Sequence, residues 1–267
     1  MTDLGLMRYF LGIQVKQRLG QIFILQEKYA DDLLKKFNMQ DCKPLATPMA
    51  MNEKLSKDDG KNKVNATIYR SLVGSLIYLT NSRLDIVHAV SIVSRFMSNP
   101  SKAHFGAAKT ILRYVKDTKD FGILYEADRD FNLTGYIDSD WAGSTYDRKS
   151  TSGYVFLLGN KAISWASKKQ MAVALLSVEA EYMVATSTAS IAMTKNSVFH
   201  NRTKHIEIRY HFIKELVERG EIKMEFCKTE EQLADIFTKP IATEKFIKFR
   251  DMLGVQDFSR LRGSVED

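Results

Sequence analysis

The sequence predicts an α/β protein: an α+β segment at the N-terminus, followed by a mixed sheet flanked by helices. Three observations predict it. Hydrophobic residues recur at helical spacing through most of residues 27–118. The period then changes to two, with strand-like runs at 121–126, 132–138, 153–158 and 161–166. Finally, one of those runs delivers a carboxylate to its end, in Gly135-Tyr136-Ile137-Asp138-Ser139-Asp140-Trp141-Ala142-Gly143, and Ser177-Val178-Glu179-Ala180-Glu181-Tyr182 opens a later helical pattern.

Residues 6–15 and 21–26 read as two strands joined near Gly20, because Leu11, Ile13 and Val15, then Ile22 and Ile24, alternate with other residues. A helix over 27–38 places Tyr29, Ala30, Leu33, Leu34 and Phe37 on one face. Residues 42–66, with Pro44, Pro48 and a Lys/Asp-rich run, form a connector. Three helices follow: 69–81 (Leu72, Val73, Leu76, Tyr78), 85–97 (Ile86, Val90, Val93, Met97) and 101–118, which Ser101 caps after Pro100. After the strand runs, helix resumes at 177–190 and at 207–219, where Gly220 stops it. A strand at 221–227, a helix at 230–238 and a short helix at 243–253 complete the chain. A boundary near 119–126 divides the helical part from the mixed part.

At 267 residues the chain can bury a sizeable core, and its 45% hydrophobic and 27% charged fractions are those of a globular protein. No apolar run approaches the ~18 residues a membrane helix needs, and the N-terminus lacks the basic start and apolar block of a signal peptide. Cys42 and Cys227 fit no metal or disulfide spacing, so a reducing compartment, cytosol or nucleus, is expected. The net charge of +7 is concentrated early: residues 1–130 hold 20 Lys+Arg against 14 Asp+Glu. Phosphate binding and an ordinary basic surface are both open readings of that excess.

Candidate chemistry has to be weighed against plainer roles. Tyr29-Ala30-Asp31-Asp32 has the composition of a polymerase turn, which must lie between two apolar strands. Its flanks, Gln26-Glu27-Lys28 and Leu33-Leu34-Lys35-Lys36, are amphipathic helix, so Asp31 and Asp32 are expected on a solvated helix face. His200, His205 and His211 match no zinc spacing. Trp141 could stack on a base, whereas Trp165 sits in a strand and is expected to pack. The set that remains is Asp138 on a strand, Glu181 on a helix and Asp235 in Gln232-Leu233-Ala234-Asp235-Ile236-Phe237-Thr238-Lys239-Pro240. Carboxylates so distributed can hold two divalent cations for phosphodiester hydrolysis, one bridging and the others completing each shell.

These and other motifs resemble the C-terminal part of copia-type retrotransposon Pol polyproteins. Thr2-Asp3-Leu4-Gly5 with Tyr9-Phe10-Leu11-Gly12-Ile13 resembles the hairpin after the polymerase active site, and Thr47-Pro48-Met49 the segment leading into the thumb. Tyr69-Arg70-Ser71-Leu72-Val73-Gly74-Ser75-Leu76 and Ile111-Leu112-Arg113-Tyr114 resemble the connection region. Asp147-Arg148-Lys149-Ser150-Thr151-Ser152-Gly153-Tyr154 and Ser164-Trp165 resemble the first RNase H strands. Thr203-Lys204-His205-Ile206 and Leu261-Arg262-Gly263-Ser264 continue the likeness to the end. The resemblance implies a reverse transcriptase remnant over 1–120, an RNase H-like domain over 121–240, and a helix and tail over 241–267. It implies magnesium as the ancestral cofactor, with Asp138 bridging both ions, Glu181 serving one and Asp235 the other. The implied partner is an RNA–DNA hybrid or other nucleic acid, and the rest of the polyprotein is absent from this chain.

The departures from the family are informative. After the helix that begins near Glu181, the family has a central strand ending in another metal-binding Asp. Here Ala189-Ser190 runs straight into Ile191-Ala192-Met193-Thr194, and no Asp occurs between Asp147 and Asp235. A truncation near 190/191, of roughly 25–35 residues at usual element lengths, accounts for this. Leu84 also stands where the family has Pro, and Leu176 and Val178 replace small hydroxyl residues. Three functions are consistent with these changes: an impaired or inactive relic of RNase H, a residual nuclease recruiting Glu179, Asp140 or water, and a non-catalytic nucleic-acid-binding module. The lost strand should leave the sheet beside Asp138 interrupted and residues 221–227 without their usual neighbour.

Overall fold

The structure is a computed structural model that describes residues 6–51, 53–127, 132–140, 149–159, 161–170 and 214–258. It divides into two compact units that interleave in sequence: 1–134, 157–163 and 240–267 form one, and 135–156 and 164–239 the other.

The first unit is built on an antiparallel sheet of order β1-β2-β3-β4-β8, with β1 Tyr9–Phe10, β2 Ile13–Arg18, β3 Gln21–Leu25, β4 Phe121–Glu126 and β8 Val255–Asp257. The run 6–15, expected as one strand, is a hairpin. Leu11 (φ 45°) and Gly12 (φ 80°) turn the chain so that Phe10 faces Ile13. Positive φ at both central residues is what a two-residue hairpin of the right twist requires, and the Leu11 carbonyl is held there by the Tyr78 hydroxyl. β3 is central, with Gln21–Leu25 paired to β2 on one edge and to Gly122–Glu126 on the other. A Cβ at Gly122 would lie 2.2 Å from the Ile24 carbonyl oxygen, so only glycine permits this approach.

Four helices accompany this sheet: α1 Glu27–Lys36, α2 Ala66–Leu79, α3 Val87–Ser94 and α4 Lys102–Asp117. The buried faces follow most of the predicted stripes: Ala30, Leu33 and Leu34 of α1, Leu72, Val73 and Leu76 of α2, Val90 and Val93 of α3, and Ala108, Leu112 and Val115 of α4 are buried, whereas Tyr78 and Met97, expected on those stripes, are half-buried. Caps set the starts of α2 and α4. The Asn65 carboxamide accepts from the Thr67 and Ile68 amides at 2.9 and 3.2 Å. At α4 the Ser101 hydroxyl accepts from the His104 amide, while the Ser101 amide donates to His104 Nδ1 at 3.0 Å, an imidazole in the capping-box role. The expected helix at 85–97 is shorter; a 3-10 turn, Leu84–Ile86, precedes α3. Between α1 and α2 the described residues form no helix or strand beyond the bridge of Lys63 to Ser101, as expected of a connector.

Beneath α4 lies a buried polar network. The Arg83 guanidinium makes two bonds to the Asp85 carboxylate, at 2.9 and 2.7 Å, and two to Thr118. The Tyr114 hydroxyl donates to the same carboxylate at 2.6 Å. Every fork of the ion pair is thus satisfied, which is the condition for burying charge at tolerable cost. α5, Thr243–Met252, returns to this unit and sets Phe246 edge-on to Tyr114, ring centroids 5.6 Å apart. β8, which the sequence reading did not predict, then extends β4.

In the second unit, β5 Leu133–Asp140, β6 Thr151–Leu158 and β7 Lys161–Lys169 form a sheet of order β5-β6-β7, each strand extending partly into residues counted with the first unit. Among the described residues β5 is an edge strand, and none of its residues is fully buried. A helical turn at 214–218 ends at Gly220 (φ 70°), where helix was expected to stop. Two expectations are corrected. Residues 221–227 form no strand; the segment is largely exposed, with Phe226 93% and Met224 50% accessible. A period-two pattern makes a strand only where a neighbour accepts its backbone bonds. Residues 230–238 form a 3-10 helix over Leu233–Phe237, closed by i→i−3 bonds at Asp235 and Thr238, rather than an α-helix.

Candidate functional site

The site begins with β5, whose alternation carries Asp138 near its end. The 3-10 helix Leu233–Phe237 is brought against β6 by the absence of a side chain: a Cβ at Gly153 would lie 2.7 Å from both Phe237 Cβ and Thr238 Cγ2. Two hydrogen bonds fix the turn. The Gln232 carboxamide donates to the Ile137 carbonyl at 3.1 Å and accepts from the Ala234 amide at 3.3 Å, so one side chain anchors the turn to β5 and caps it. Thr238, 100 residues beyond Asp138, donates its hydroxyl to Asp138 Oδ2.

Asp138 and Asp235 therefore converge. Their side chains are 16% and 2% exposed, and both face the ammonium of Lys239, 3.5 Å from Asp138 Oδ2 and 2.8 Å from Asp235 Oδ1. Burial alone would pull the Lys239 pKa down, but the hydrogen bond to Asp235 and the charge on Asp138 hold it above the ordinary lysine range. Beside Asp138, the Gln170 carboxamide donates to the hydroxyls of Ser139 and Ser152 at 3.1 and 2.8 Å. Burial, Glu231 and Asp235 push the Cys227 thiol pKa up.

Of the three carboxylates singled out in the sequence, the structure brings Asp138 and Asp235 to one cationic group. Glu181 lies outside the described residues, as do Glu179, Trp141, the three histidines and the 190/191 junction. Asp31 and Asp32 lie on α1, with side chains 38% and 60% exposed, where the flanking sequence puts them, and not on a turn between paired strands. Trp165 lies in β7 and is half-buried. Lys239, Thr238 and Gln170 were not anticipated. The spacing of Asp235 and Lys239, four apart, is the signal that could have found the lysine.

Two carboxylates supply only part of a hard divalent cation's six-oxygen shell. Among the described residues no group of three or more His, Cys, Asp or Glu side chains is placed to hold a metal ion. With an ammonium already between the two carboxylates, the described residues alone do not make a site for a pair of magnesium ions. What it can do chemically is hold one positive charge between β5 and the turn after it. No helix among the described residues is long and apolar enough to cross a membrane.

Comparison with known proteins adds an independent line. The family model described as reverse transcriptase (RNA-dependent DNA polymerase) matches residues 1–51. The chain is 39% identical over 278 residues to the retrovirus-related Pol polyprotein from transposon RE1 of Arabidopsis thaliana, covering 93% of this chain and 19% of that one. It is 38% identical over 292 residues to the corresponding polyprotein from transposon TNT 1-94 of Nicotiana tabacum, covering 96% of this chain and 22% of the relative. An uncharacterized mitochondrial protein of Arabidopsis thaliana is 42% identical over 190 residues, 71% of this chain and 79% of that protein. The chain thus spans about a fifth of the length of the two polyproteins. No solved structure matches it.

Proposed function

Since the chain belongs to the family of copia-type retrotransposon Pol polyproteins, we propose that it is the RNase H-bearing C-terminal part of such a polyprotein. Its ancestral activity is hydrolysis of the RNA strand of an RNA–DNA hybrid with two magnesium ions, and that activity is impaired in this copy. The observation that carries the RNase H reading is the convergence of Asp138 and Asp235, from a strand end and a distant turn, on one positive charge. Glu181 is the third ligand of the proposed site.

The impairment rests on lengths and on the sheet. Both polyprotein matches run longer than this 267-residue chain, although they include only 93% and 96% of it, so each relative carries about 30 to 36 more residues within the matched span. The mitochondrial relative matches 190 residues, or 71%, with no such excess. These figures agree with the segment of roughly 25–35 residues inferred missing near 190/191 from usual element lengths. Among the described residues, the edge position of β5 and the largely exposed 221–227 segment, which forms no strand, support the same reading. The chain's own residues still assemble the turn, through Gln232 and Thr238, and still neutralise the carboxylates, through Lys239.

The test is cleavage of a labelled RNA–DNA hybrid by purified protein in magnesium. Turnover at background is expected; turnover well above it that Asp138→Asn abolishes would show that the lost carboxylate has been replaced. A second reading, a non-catalytic nucleic-acid-binding module, is favoured by the six-charge basic excess of residues 1–130. Hybrid binding that weakens steeply with salt, without cleavage, would support it.

A further inference from the structure

We infer that the Lys239 ammonium is the resident counter-ion of the Asp138–Asp235 pair, and that a divalent cation reaches these carboxylates only by displacing it. The inference rests on the RNase H reading for the identity of the site but concerns its occupancy, which can be measured apart from cleavage. Three features hold the lysine there. Its amide donates to the Asp235 carbonyl at 3.2 Å, which fixes its backbone one turn beyond the aspartate. Thr238, its neighbour, donates its hydroxyl hydrogen to Asp138, so the two carboxylate-bearing elements are tied together immediately beside the lysine. Asp235 is almost completely enclosed, and an enclosed carboxylate requires a partner charge. The side chain of Lys239 is itself 40% exposed, so it can swing into solvent when a stronger cation competes. With every ligand of the ancestral site present, two dications outbid one ammonium. With a ligand-bearing segment lost, the balance tips to the lysine, which brings its charge at no cost in association entropy.

The experiment is manganese binding by the full chain, followed by the electron paramagnetic resonance of free Mn2+, in the wild type, Lys239→Gln and Lys239→Arg. The expected result is weak binding by wild type and K239R, and affinity higher by about tenfold or more in K239Q, as removal of a charge at contact distance implies. The K239Q gain should vanish in the double variant with Asp138→Asn. Equal affinities in wild type and K239Q, or a gain that survives D138N, would overturn the inference. If K239Q does not fold, the wild type decides: manganese must leave the Asp138 and Asp235 amide resonances unbroadened at concentrations that saturate a free dicarboxylate. Broadening there would contradict a resident lysine. Hybrid cleavage is not a readout here: a manganese gain in K239Q without cleavage leaves the inference standing and bears only on residual activity.

Discussion

At the scale of single residues, the buried pair of Arg83 and Asp85 sets the clearest energetic expectation. Burial alone would raise the Asp85 pKa, but the Arg83 guanidinium and the Tyr114 hydroxyl hold it below the usual carboxylate range. The folded state therefore binds this proton more weakly than the unfolded chain. The resulting stability is present above the ordinary carboxylate pKa and is lost as the pH falls through the lower folded value. Asp85→Asn should cost about 3–5 kcal/mol by leaving Arg83 buried without a counter-charge, and should flatten the acid limb of the stability–pH curve. Replacing both members with apolar residues should cost less than D85N alone; urea titration across pH reads both effects. In the second unit, Gly153→Ala meets Phe237 and Thr238 at 2.7 Å and should destabilise by about 1–3 kcal/mol while moving the turn away from Asp138. Chemical denaturation measures the first effect, and loss of the Lys239 and Thr238 contacts in a structure of the variant the second.

At the scale of elements, the short strand β8 closes the first sheet against β4, and a carboxyl pair sits at this seam. Burial, then a hydrogen bond to the Asp257 carboxyl, raises the Asp120 pKa. The sign is opposite to that of Asp85: the folded state binds the proton more tightly, so stability is lost as the pH rises from the ordinary carboxylate pKa through the raised one. Asp257→Asn keeps a hydrogen-bonding group and removes the repulsion, so the thermal midpoint at neutral pH should rise and its decline across that window should shrink. An unchanged midpoint would show that the seam carries no electrostatic cost. This seam also marks where the sequence is silent. Helices α1 to α4 are legible because each presents buried residues at helical spacing, and α2 and α4 also carry a capping residue. β8, three residues long, offers too few positions for a period. The Leu11-Gly12 turn is hidden inside a run that reads as one strand, and 221–227 has the alternation of a strand but forms none. Propensity is local, whereas pairing is supplied by whatever part of the chain arrives alongside.

At the scale of the whole molecule, the two units interleave: α5 and β8, last among the described residues, complete the unit that the first residues begin. A boundary drawn by composition near 119–126 falls at β4, which pairs with β3, because a sheet recruits strands by edge and not by order in sequence. The candidate site was legible where chemistry depends on residue type: Asp138 at a strand end and Asp235 in its motif could be named from sequence alone. The spacing could have paired Lys239 with Asp235, but its approach to Asp138 comes from a turn whose tightness only the packing on Gly153 reveals. On the proposed function, this chain is a Pol-derived RNase H module that the loss of an internal segment silences. The most direct measurement compares magnesium-dependent cleavage of an RNA–DNA hybrid by the chain as it stands with that by the same chain carrying, after Ser190, the corresponding segment of its RE1 relative. Background turnover is expected for the first and, for the second, cleavage that Asp138→Asn abolishes; D138N-sensitive cleavage by the unaltered chain would overturn the proposed silencing.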